Sequence, residues 1–385
     1  MTQAAETLLL KQPTLSKDEI AFLYAGDLWI TARDGSHPRR LTVQKGRKTS
    51  PYFSPDGQWI AFSADYDGNQ SVYIIPREGG MPRRLTYHPY PDFVRGWTPD
   101  GKTVLFSSTL NSMSRRVRRL FTVPLDGGLP VPLPMHMAER GDYAPDGLRL
   151  AYTPYFEPFW SWKRYRGGMT LPIWVLDLQS YEHIEIPHEN ASDTFPCWLG
   201  DSIYFLSDRC GTMNLFRWQA GASAEQIVPN VEQVTHHTDF DVRSLTAGDG
   251  LLAYEQGGRI HLYNPQAHKS TTLNLTIAAD LPYTRPHFEK ADRYIYNAAL
   301  SPTGQRSVFE VRGDIYTVPA KKGDIRNLTH TPGINERDPS WSPDGNTIAY
   351  FSDASGEYEL IISDQKGMQK TNIPLGKRSF FYAPL

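Results

Sequence analysis

The sequence contains very little cysteine. Its 385 residues include two, Cys197 and Cys210. Two cysteines are too few for a disulfide framework and are compatible with a reducing compartment. We therefore interpret both as small, buried apolar side chains rather than as a covalent scaffold.

Long apolar runs are also missing. No stretch approaches the roughly 18 apolar residues that a membrane-spanning helix needs. The N-terminus has no basic region, and its apolar run is limited to Leu8, Leu9 and Leu10, which is too short for a secretory signal. The sequence therefore predicts a cytoplasmic protein without a membrane partner.

Neither sign of charge is in excess, because 40 basic residues face 42 acidic ones. Such a balance gives no global field that would gather a polyanion, so we expect no nucleic-acid partner. The sequence also lacks the patterns Gly-x-Ser-x-Gly and His-Glu-x-x-His, which mark nucleophile elbows and zinc helices. We expect no catalytic residues, no cofactor and no metal site within this chain.

A short phrase recurs along the chain: a small or polar residue, Pro, Asp and Gly, followed by an apolar strand ending near Phe-Ser. Clear copies begin at Ser54, Thr98 and Ser342, and looser ones at Ala144 and Ser301. Asp-Gly favours a tight turn, and the Asp carboxylate can accept hydrogen bonds from the amides of its own turn. We interpret the phrase as a structural turn that opens each repeat, not as a functional site.

Each repeat continues with two apolar strands and a segment such as Arg84-Leu85-Thr86. This order predicts a four-stranded antiparallel blade, and the units have the roughly 40–50 residues of a propeller blade. We predict an all-β protein with a six-bladed β-propeller over residues 1–284. Residues 285–385 are predicted to form the first blades of a second, truncated propeller, since two blades cannot close a ring.

The repeats resemble the propellers of the TolB and tricorn group. Residues 164–169 with 173–174, and residues 206–215, are similar to the first propeller of tricorn-type proteases, and residues 312–319 and 352–360 to the opening of the second. The resemblance implies a six-bladed ring followed by the start of a seven-bladed one. In the family, these rings precede helical, PDZ and catalytic domains of a cytoplasmic serine peptidase that trims peptides downstream of the proteasome and forms hexamers.

The resemblance therefore implies a non-catalytic region for peptide access, exit and scaffolding. Its expected partners are peptides, the remaining PDZ and catalytic domains, and further copies of the chain in a homo-hexamer. Two alternatives remain: a TolB-type protein-binding propeller without a protease, and the gating propeller of a prolyl-oligopeptidase-like hydrolase. The second alternative would need an α/β-hydrolase domain, which this sequence lacks.

The most basic segment contains four arginines within five positions: Arg115, Arg116, Arg118 and Arg119. Guanidinium groups can bind a carboxylate bidentately. The family resemblance implies that a pair of arginines from the first propeller anchors the substrate's C-terminal carboxylate, and all four are candidates. The alternative is a solvated charged hairpin.

An aromatic and basic insertion interrupts the fourth repeat at residues 155–166. Its candidate interface residues are Trp160, Trp162, Arg164, Tyr165 and Arg166. Aromatic and Arg side chains are enriched in protein interfaces and can also stack single-stranded bases, but the near-neutral charge favours the interface. The alternative is a loop folded over the outside of its own blade.

A histidine and aspartate cluster lies at His236, His237, Asp239 and Asp241. These residue types suit zinc, but adjacent side chains on a strand point to opposite faces. We interpret them as hydrogen-bonded loop residues.

Overall fold

The computed structural model describes residues 6–112, 114, 116–157, 162–219, 231–281, 285, 287–376 and 381. Within these residues the secondary structure is almost entirely β, with one short 3-10 turn at Ala291–Tyr294. No helix in the described part of the chain is long and apolar enough to cross a membrane. The chain divides into two compact units, Met1–Asp280 and Leu281–Leu385.

The first unit contains six four-stranded antiparallel sheets, each with its strands in chain order. This confirms the six predicted blades. The strands of blades one to three are β1 Lys11–Leu15, β2 Glu19–Tyr24, β3 Asp27–Ala32, β4 Arg39–Arg40, β5 Lys48–Phe53, β6 Trp59–Ala64, β7 Ser71–Pro76, β8 Arg83–Arg84, β9 Asp92–Trp97, β10 Thr103–Ser108, β11 Arg119–Pro124 and β12 Val131–Pro132. Those of blades four to six are β13 Arg140–Tyr143, β14 Arg149–Thr153, β15 Trp174–Asp177, β16 His183–Glu185, β17 Asp193–Leu199, β18 Ser202–Ser207, β19 Asn214–Gln219, β20 Val231–Gln233, β21 Val242–Gly248, β22 Leu251–Gln256, β23 Arg259–Asn264 and β24 Lys269–Leu273.

The Pro-Asp-Gly turn joins the first and second strands of a blade, and its hydrogen bonds explain the repeated phrase. Asp56 accepts hydrogen bonds from the Ser54 hydroxyl at 2.5 Å and from the Gln58 amide at 3.0 Å. Ser54 Oγ accepts one from the Trp59 amide at 3.0 Å. Gly57 has a φ of +68°, a conformation that glycine adopts without a Cβ penalty. The turn is thus structural, as the sequence predicted.

Successive turns also pack on one another. An added Cβ on Gly101 would lie 3.6 Å from the ring of Pro55 in the preceding blade, and one on Gly147 would lie 3.8 Å from Pro99. The Pro of one turn therefore packs against the Gly of the turn in the next blade. These packed turns lie together on one face of the ring.

The Arg-Leu-Thr phrase anchors the fourth strand. Leu85 is buried in the core shared by blades two and three. Thr86 Oγ1 accepts a hydrogen bond from the buried Val72 amide at 3.0 Å, and Arg84 Nε donates to the Thr86 carbonyl at 2.6 Å. The motif satisfies a buried backbone donor at the edge of the blade.

The six first strands form the inside of the ring. Each contacts the first strands of both neighbouring blades, including β21 with β1. Blades six and one share an apolar cluster that contains Phe22 and Ile260. At this junction the backbones approach so closely that a Cβ on Gly248 would lie 2.3 Å from the Leu15 carbonyl oxygen. The ring therefore closes through packing between two complete blades.

The second unit contains two further four-stranded antiparallel sheets. Their strands are β25 Ile295–Leu300, β26 Arg306–Val311, β27 Asp314–Pro319, β28 Arg326–Asn327, β29 Glu336–Trp341, β30 Thr347–Ser352, β31 Glu359–Asp364 and β32 Lys370–Ile373. One apolar cluster joins the sheets through residues such as Val308, Ile315, Ile348 and Tyr350. The two blades thus pack on each other in the same way as those of the first unit.

Candidate functional site

The strand order assigns two faces to the six-bladed ring. The first strands end at the Pro-Asp-Gly turns, on what we call the turn face. The connections between second and third strands lie on the opposite face, which we call the hairpin face. The links from Ser108 to Arg119 and from Thr153 to Trp174 are such connections, so Arg116, Arg118 and the described residues of the aromatic insertion are on the hairpin face.

A cavity of about 610 Å³ lies inside the ring towards the turn face. All six first strands contribute to its wall through residues that include Leu15, Tyr52, Arg95, Asp142, Cys197 and Leu245. This volume is within the roughly 300–1,000 Å³ of ligand sites. The centre of the propeller therefore offers room for a ligand.

A second, small space of about 20 Å³ lies inside the ring and reaches Gln12 and Ser50, at the start of the first strands. The residues that line both spaces are Tyr52, Arg140, Phe195, Leu245 and Thr246. The two spaces are therefore neighbouring parts of one central channel.

Phe195 lies in an irregular part of its strand, the first strand of blade five. Phe195 has a φ of +51° and lies at a register shift between Thr194 and Cys197. Pro196 follows it and lacks the N–H that a regular ladder requires, which suits a bulge. The Phe195 ring packs against Arg140, whose guanidinium carbon lies 3.5 Å from the ring centroid.

Arg140 forms a buried ion pair with Glu157, which lies near the start of the insertion. Arg140 Nε donates to one carboxylate oxygen, Arg140 Nη2 lies 3.2 Å from the other, and the Thr194 hydroxyl donates at 2.7 Å. Burial acts to raise the pKa of Glu157, but the Arg140 charge and these hydrogen bonds outweigh it and hold the pKa at about 2. The pair is therefore ionised at neutral pH.

A second buried pair lies beside it. Arg95 donates to Glu139 and, through Nε, to the Ser107 hydroxyl at 3.0 Å. Arg118 also binds Glu139. Burial and the like charge of Arg140 lower the pKa of Arg95 to about 10. Because Arg95, Arg118 and Arg140 face two carboxylates, this cluster has one net positive charge beside the channel.

Asp142 adds a titratable group to the wall of the cavity. Its carboxylate accepts a hydrogen bond from the Trp198 amide at 2.7 Å. Burial raises the pKa of Asp142 to about 7. The neighbouring Cys197 thiol is buried, and that burial raises its pKa well above the usual value. Cys197 is therefore not a reactive thiolate at neutral pH. Cys210 is exposed, so the prediction that both cysteines are buried is wrong for Cys210.

The arginine candidates occupy different environments. Arg115 lies outside the described residues, and Arg116 is exposed. Arg118 is bound to Glu139, and Arg119 is half-buried with Nη2 3.4 Å from the Leu133 carbonyl oxygen. Among the three described arginines, Arg116 is the one that presents its side chain to solvent.

The insertion contacts blades five and six. Trp160 lies outside the described residues, whereas Trp162 is 66% exposed and lies 6.2 Å from the Tyr165 ring. Arg164 Nε donates to the Gly211 carbonyl at 2.8 Å, and Arg166 pairs with Asp208 at 2.8 Å. Two of the candidate interface residues are therefore engaged within the molecule.

The sequence motifs do not predict the charged residues of the channel, which are Arg95, Glu139, Arg140 and Glu157. Arg95 and Arg140 each precede a glycine shortly before a repeated turn, as Arg95-Gly96 and Arg140-Gly141. That pattern was the available signal for the arginines. Glu157 has none, because nothing in its local sequence marks it as the partner of Arg140.

Side chains of the histidine and aspartate cluster contact different partners. His237 Nε2 lies 3.2 Å from the Tyr254 hydroxyl, Asp239 accepts from Gln256 at 2.8 Å, and Asp241 pairs with Lys163. No group of three or more potential metal ligands was found in the described part of the chain.

Comparison with known proteins identifies the family. Residues 7–269 match the family described as "Tricorn protease N-terminal beta propeller domain". The chain is 31% identical over 371 residues to "Putative tricorn protease homolog 2" of Streptomyces coelicolor, which covers 92% of this chain and 30% of the relative. It is 29% identical over 373 residues to "Tricorn protease homolog 1" of the same organism, which covers 96% of this chain and 34% of the relative.

A solved structure described as "Crystal structure of the tricorn protease" matches with a TM-score of 0.64 and 20% identity, over 95% of this chain and 44% of that one. At this identity the match supports the fold. The chain spans about a third of the length of the two curated relatives. On the match over residues 7–269, the chain belongs to the tricorn protease N-terminal beta propeller family.

Proposed function

We propose that this chain is the non-catalytic peptide-access, exit and scaffolding region of a tricorn-like serine peptidase that degrades peptides in the cytoplasm downstream of the proteasome. The observation that supports the proposal is the cavity of about 610 Å³ enclosed by the first strands of all six blades. Radial blades leave a central channel, and a channel can hold an extended peptide.

Arginine side chains beside the channel suit such a ligand. Arg95 and Arg140 line the cavity, together with Lys17 and the carboxyl groups of Asp56, Asp142 and Asp249. Peptides carry a terminal carboxylate, for which guanidinium groups are suited bidentate donors. On the hairpin face, Arg116 is exposed, and we propose that it anchors this carboxylate together with Arg115.

The relatives extend well beyond the length of this chain. The proposal therefore includes PDZ and catalytic domains in the complete protein and assembly of that protein into a homo-hexamer. It assigns no nucleophile or base to the residues of this chain. Incubation of the isolated chain with fluorogenic peptides should give no turnover, and measurable turnover would contradict the non-catalytic role.

The direct test is peptide binding in the channel. A fluorescent peptide is titrated with the chain and with Ala247→Trp, which places an indole in the wall of the cavity. Ala267→Trp, in an exposed turn, is the matched control. We expect Ala247→Trp to abolish binding and the control to retain it. Equal binding by both variants would refute the channel and favour a protein-binding propeller that uses its outer surface.

A further inference from the structure

A separate cavity of about 220 Å³ lies between the insertion and blades five and six. We call it the side pocket. Its apolar wall is formed by the buried side chains of Phe195, Leu206, Met213 and Val242. The volume is below the roughly 300 Å³ at which small-molecule sites begin. The side pocket therefore has room for one large side chain rather than a whole ligand.

The side pocket adjoins the channel. Phe195 forms part of its wall and also lines both spaces of the channel. The side pocket and the channel therefore lie on opposite sides of one side chain, that of Phe195.

The rim of the side pocket is basic. Its two acidic residues are already paired: Asp241 with Lys163 at 2.8 Å, and Asp208 with Arg166 at 2.8 Å. Arg243 is exposed and lies on the rim.

Arg164, also on the rim, donates its Nε to the Gly211 carbonyl oxygen. No ion pair within 4.0 Å joins Arg164 or Arg243 to a carboxylate among the described residues. Lys163, Arg164 and Arg243 against Asp208 and Asp241 leave a net positive rim. An anionic ligand would therefore be favoured there.

We propose that the side pocket is a specificity subsite that binds an apolar peptide side chain flanked by a carboxylate, with Arg164 and Arg243 as its carboxylate ligands. Burial of the apolar side chain supplies affinity, and the guanidinium groups supply charge-assisted hydrogen bonds. The carboxylate comes either from the chain end or from a neighbouring acidic residue. The subsite rests on the proposed function, since it requires peptide ligands, but it uses residues outside the 115–119 cluster.

The ligand chemistry is tested with four labelled peptides. Fluorescence anisotropy measures the affinity of the 385-residue chain for each of them. The first peptide ends in Leu with a free carboxylate, the second is its amide, the third is an amide with Glu before Leu, and the fourth is the free acid with Ser in place of Leu. We expect the second peptide, which has neither carboxylate, to bind at least about tenfold more weakly than the first or the third, and the fourth to bind weakly because it lacks the apolar side chain. Tighter binding of the first assigns the carboxylate to the chain end, and tighter binding of the third assigns it to a side chain. Equal binding of the first three peptides would overturn the proposal.

Substitutions on the rim test whether Arg164 and Arg243 bind the carboxylate. Arg164→Gln and Arg243→Gln should each weaken binding of the first peptide about tenfold. Arg217→Gln, which removes an arginine from blade five outside the side pocket, should not change its affinity. Both rim arginines are exposed, so thermal unfolding of the variants should match that of the parent chain. Unchanged affinity in both rim variants would contradict the subsite.

A photoreactive side chain at the last position of the first peptide separates this proposal from the proposed function. Cross-linking to Met213 or Val242 supports the side pocket. Cross-linking to Tyr52 or Leu245 instead would overturn the side pocket and leave peptide binding in the channel standing. No saturable binding or cross-linking of any peptide would contradict both.

Discussion

One nitrogen of the Arg118 guanidinium, Nη1, lies 2.8 Å from both carboxylate oxygens of Glu139. This pair ties the hairpin of blade three to the segment that enters blade four. The Arg118 guanidinium also lies 4.5 Å from the Phe93 ring centroid. Arg118 therefore joins two blades beside the channel, while Arg116 remains exposed.

We predict that Arg118→Gln lowers the free energy of unfolding by about 1–3 kcal/mol, because it removes a charged donor from a buried carboxylate. Arg116→Gln should stay within about 0.5 kcal/mol of the parent, as expected for an exposed side chain. Urea unfolding of both variants checks this. Equal losses would show that the ion pair contributes nothing to stability.

The function of Arg116 should appear in catalysis rather than in stability. In the tricorn-like peptidase that the proposed function describes, we predict that Arg116→Gln raises KM at least about tenfold for peptides with a free C-terminus. Amidated peptides should be little affected, because they lack the carboxylate. Steady-state kinetics on matched peptide pairs measures the difference. The same change for both kinds of peptide would exclude a carboxylate anchor at this residue.

Ring closure should depend on Gly248. A Cβ at this position would lie 2.3 Å from the Leu15 carbonyl oxygen, and the backbone cannot yield as a flexible side chain would. We predict that Gly248→Ala destabilises the first unit by about 1–3 kcal/mol. Gly168→Ala is the control, because no atom lies within 4 Å of its added Cβ. The prediction fails if the two variants unfold at the same urea concentration.

Asp142 should make stability fall as the pH rises. Its carboxyl ionises near pH 4 in the unfolded chain, whereas burial raises the folded pKa to about 7. Its contribution to stability is therefore fully present below pH 4 and is lost as the pH rises through 7. Asparagine does not titrate and can still accept the Trp198 hydrogen bond.

We compare the free energy of unfolding of Asp142→Asn with that of the parent at two pH values. The difference, variant minus parent, should be about 2 kcal/mol larger at pH 8 than at pH 5. Asp146→Asn, in an exposed turn, should show no such gain. Urea unfolding at the two pH values measures both variants. A constant difference between Asp142→Asn and the parent would contradict the raised pKa.

Glu157 should have the opposite pH dependence. Its folded pKa of about 2 is below the unfolded value, so its stabilising contribution is present above about pH 4.5 and is lost as the pH falls towards 2. Glu157→Gln leaves Arg140 buried without its carboxylate, which should cost about 3–5 kcal/mol at neutral pH. The difference from the parent should shrink in acid.

Limited proteolysis gives a local readout for the same variant. Because Glu157 anchors the start of the insertion, Glu157→Gln should increase tryptic cleavage after Lys163 and Arg164. Glu182→Gln, an exposed substitution in blade four, should cleave like the parent. Unchanged cleavage in Glu157→Gln would show that the insertion does not depend on this ion pair.

The sequence by itself determined the blades. The Ser-Pro-Asp-Gly phrase carries its own hydrogen bonds, as between Ser54 and Asp56, and the Thr86 side chain caps an amide 14 residues away within the same blade. Such interactions are local in the chain, so their pattern can be read directly. The alternation of turn and apolar strand therefore predicted the number of units.

The tertiary structure alone decided which charged side chains meet. Arg95 and Glu139 are 44 residues apart and lie in different blades, and Arg166 reaches Asp208 over 42 residues. The arginine cluster looks uniform in the sequence, yet in the structure Arg118 is half-buried against a carboxylate and Arg116 is exposed. Pairing between blades depends on the positions of whole sheets, and no local pattern encodes it. The channel, the side pocket and their net charge follow from that packing.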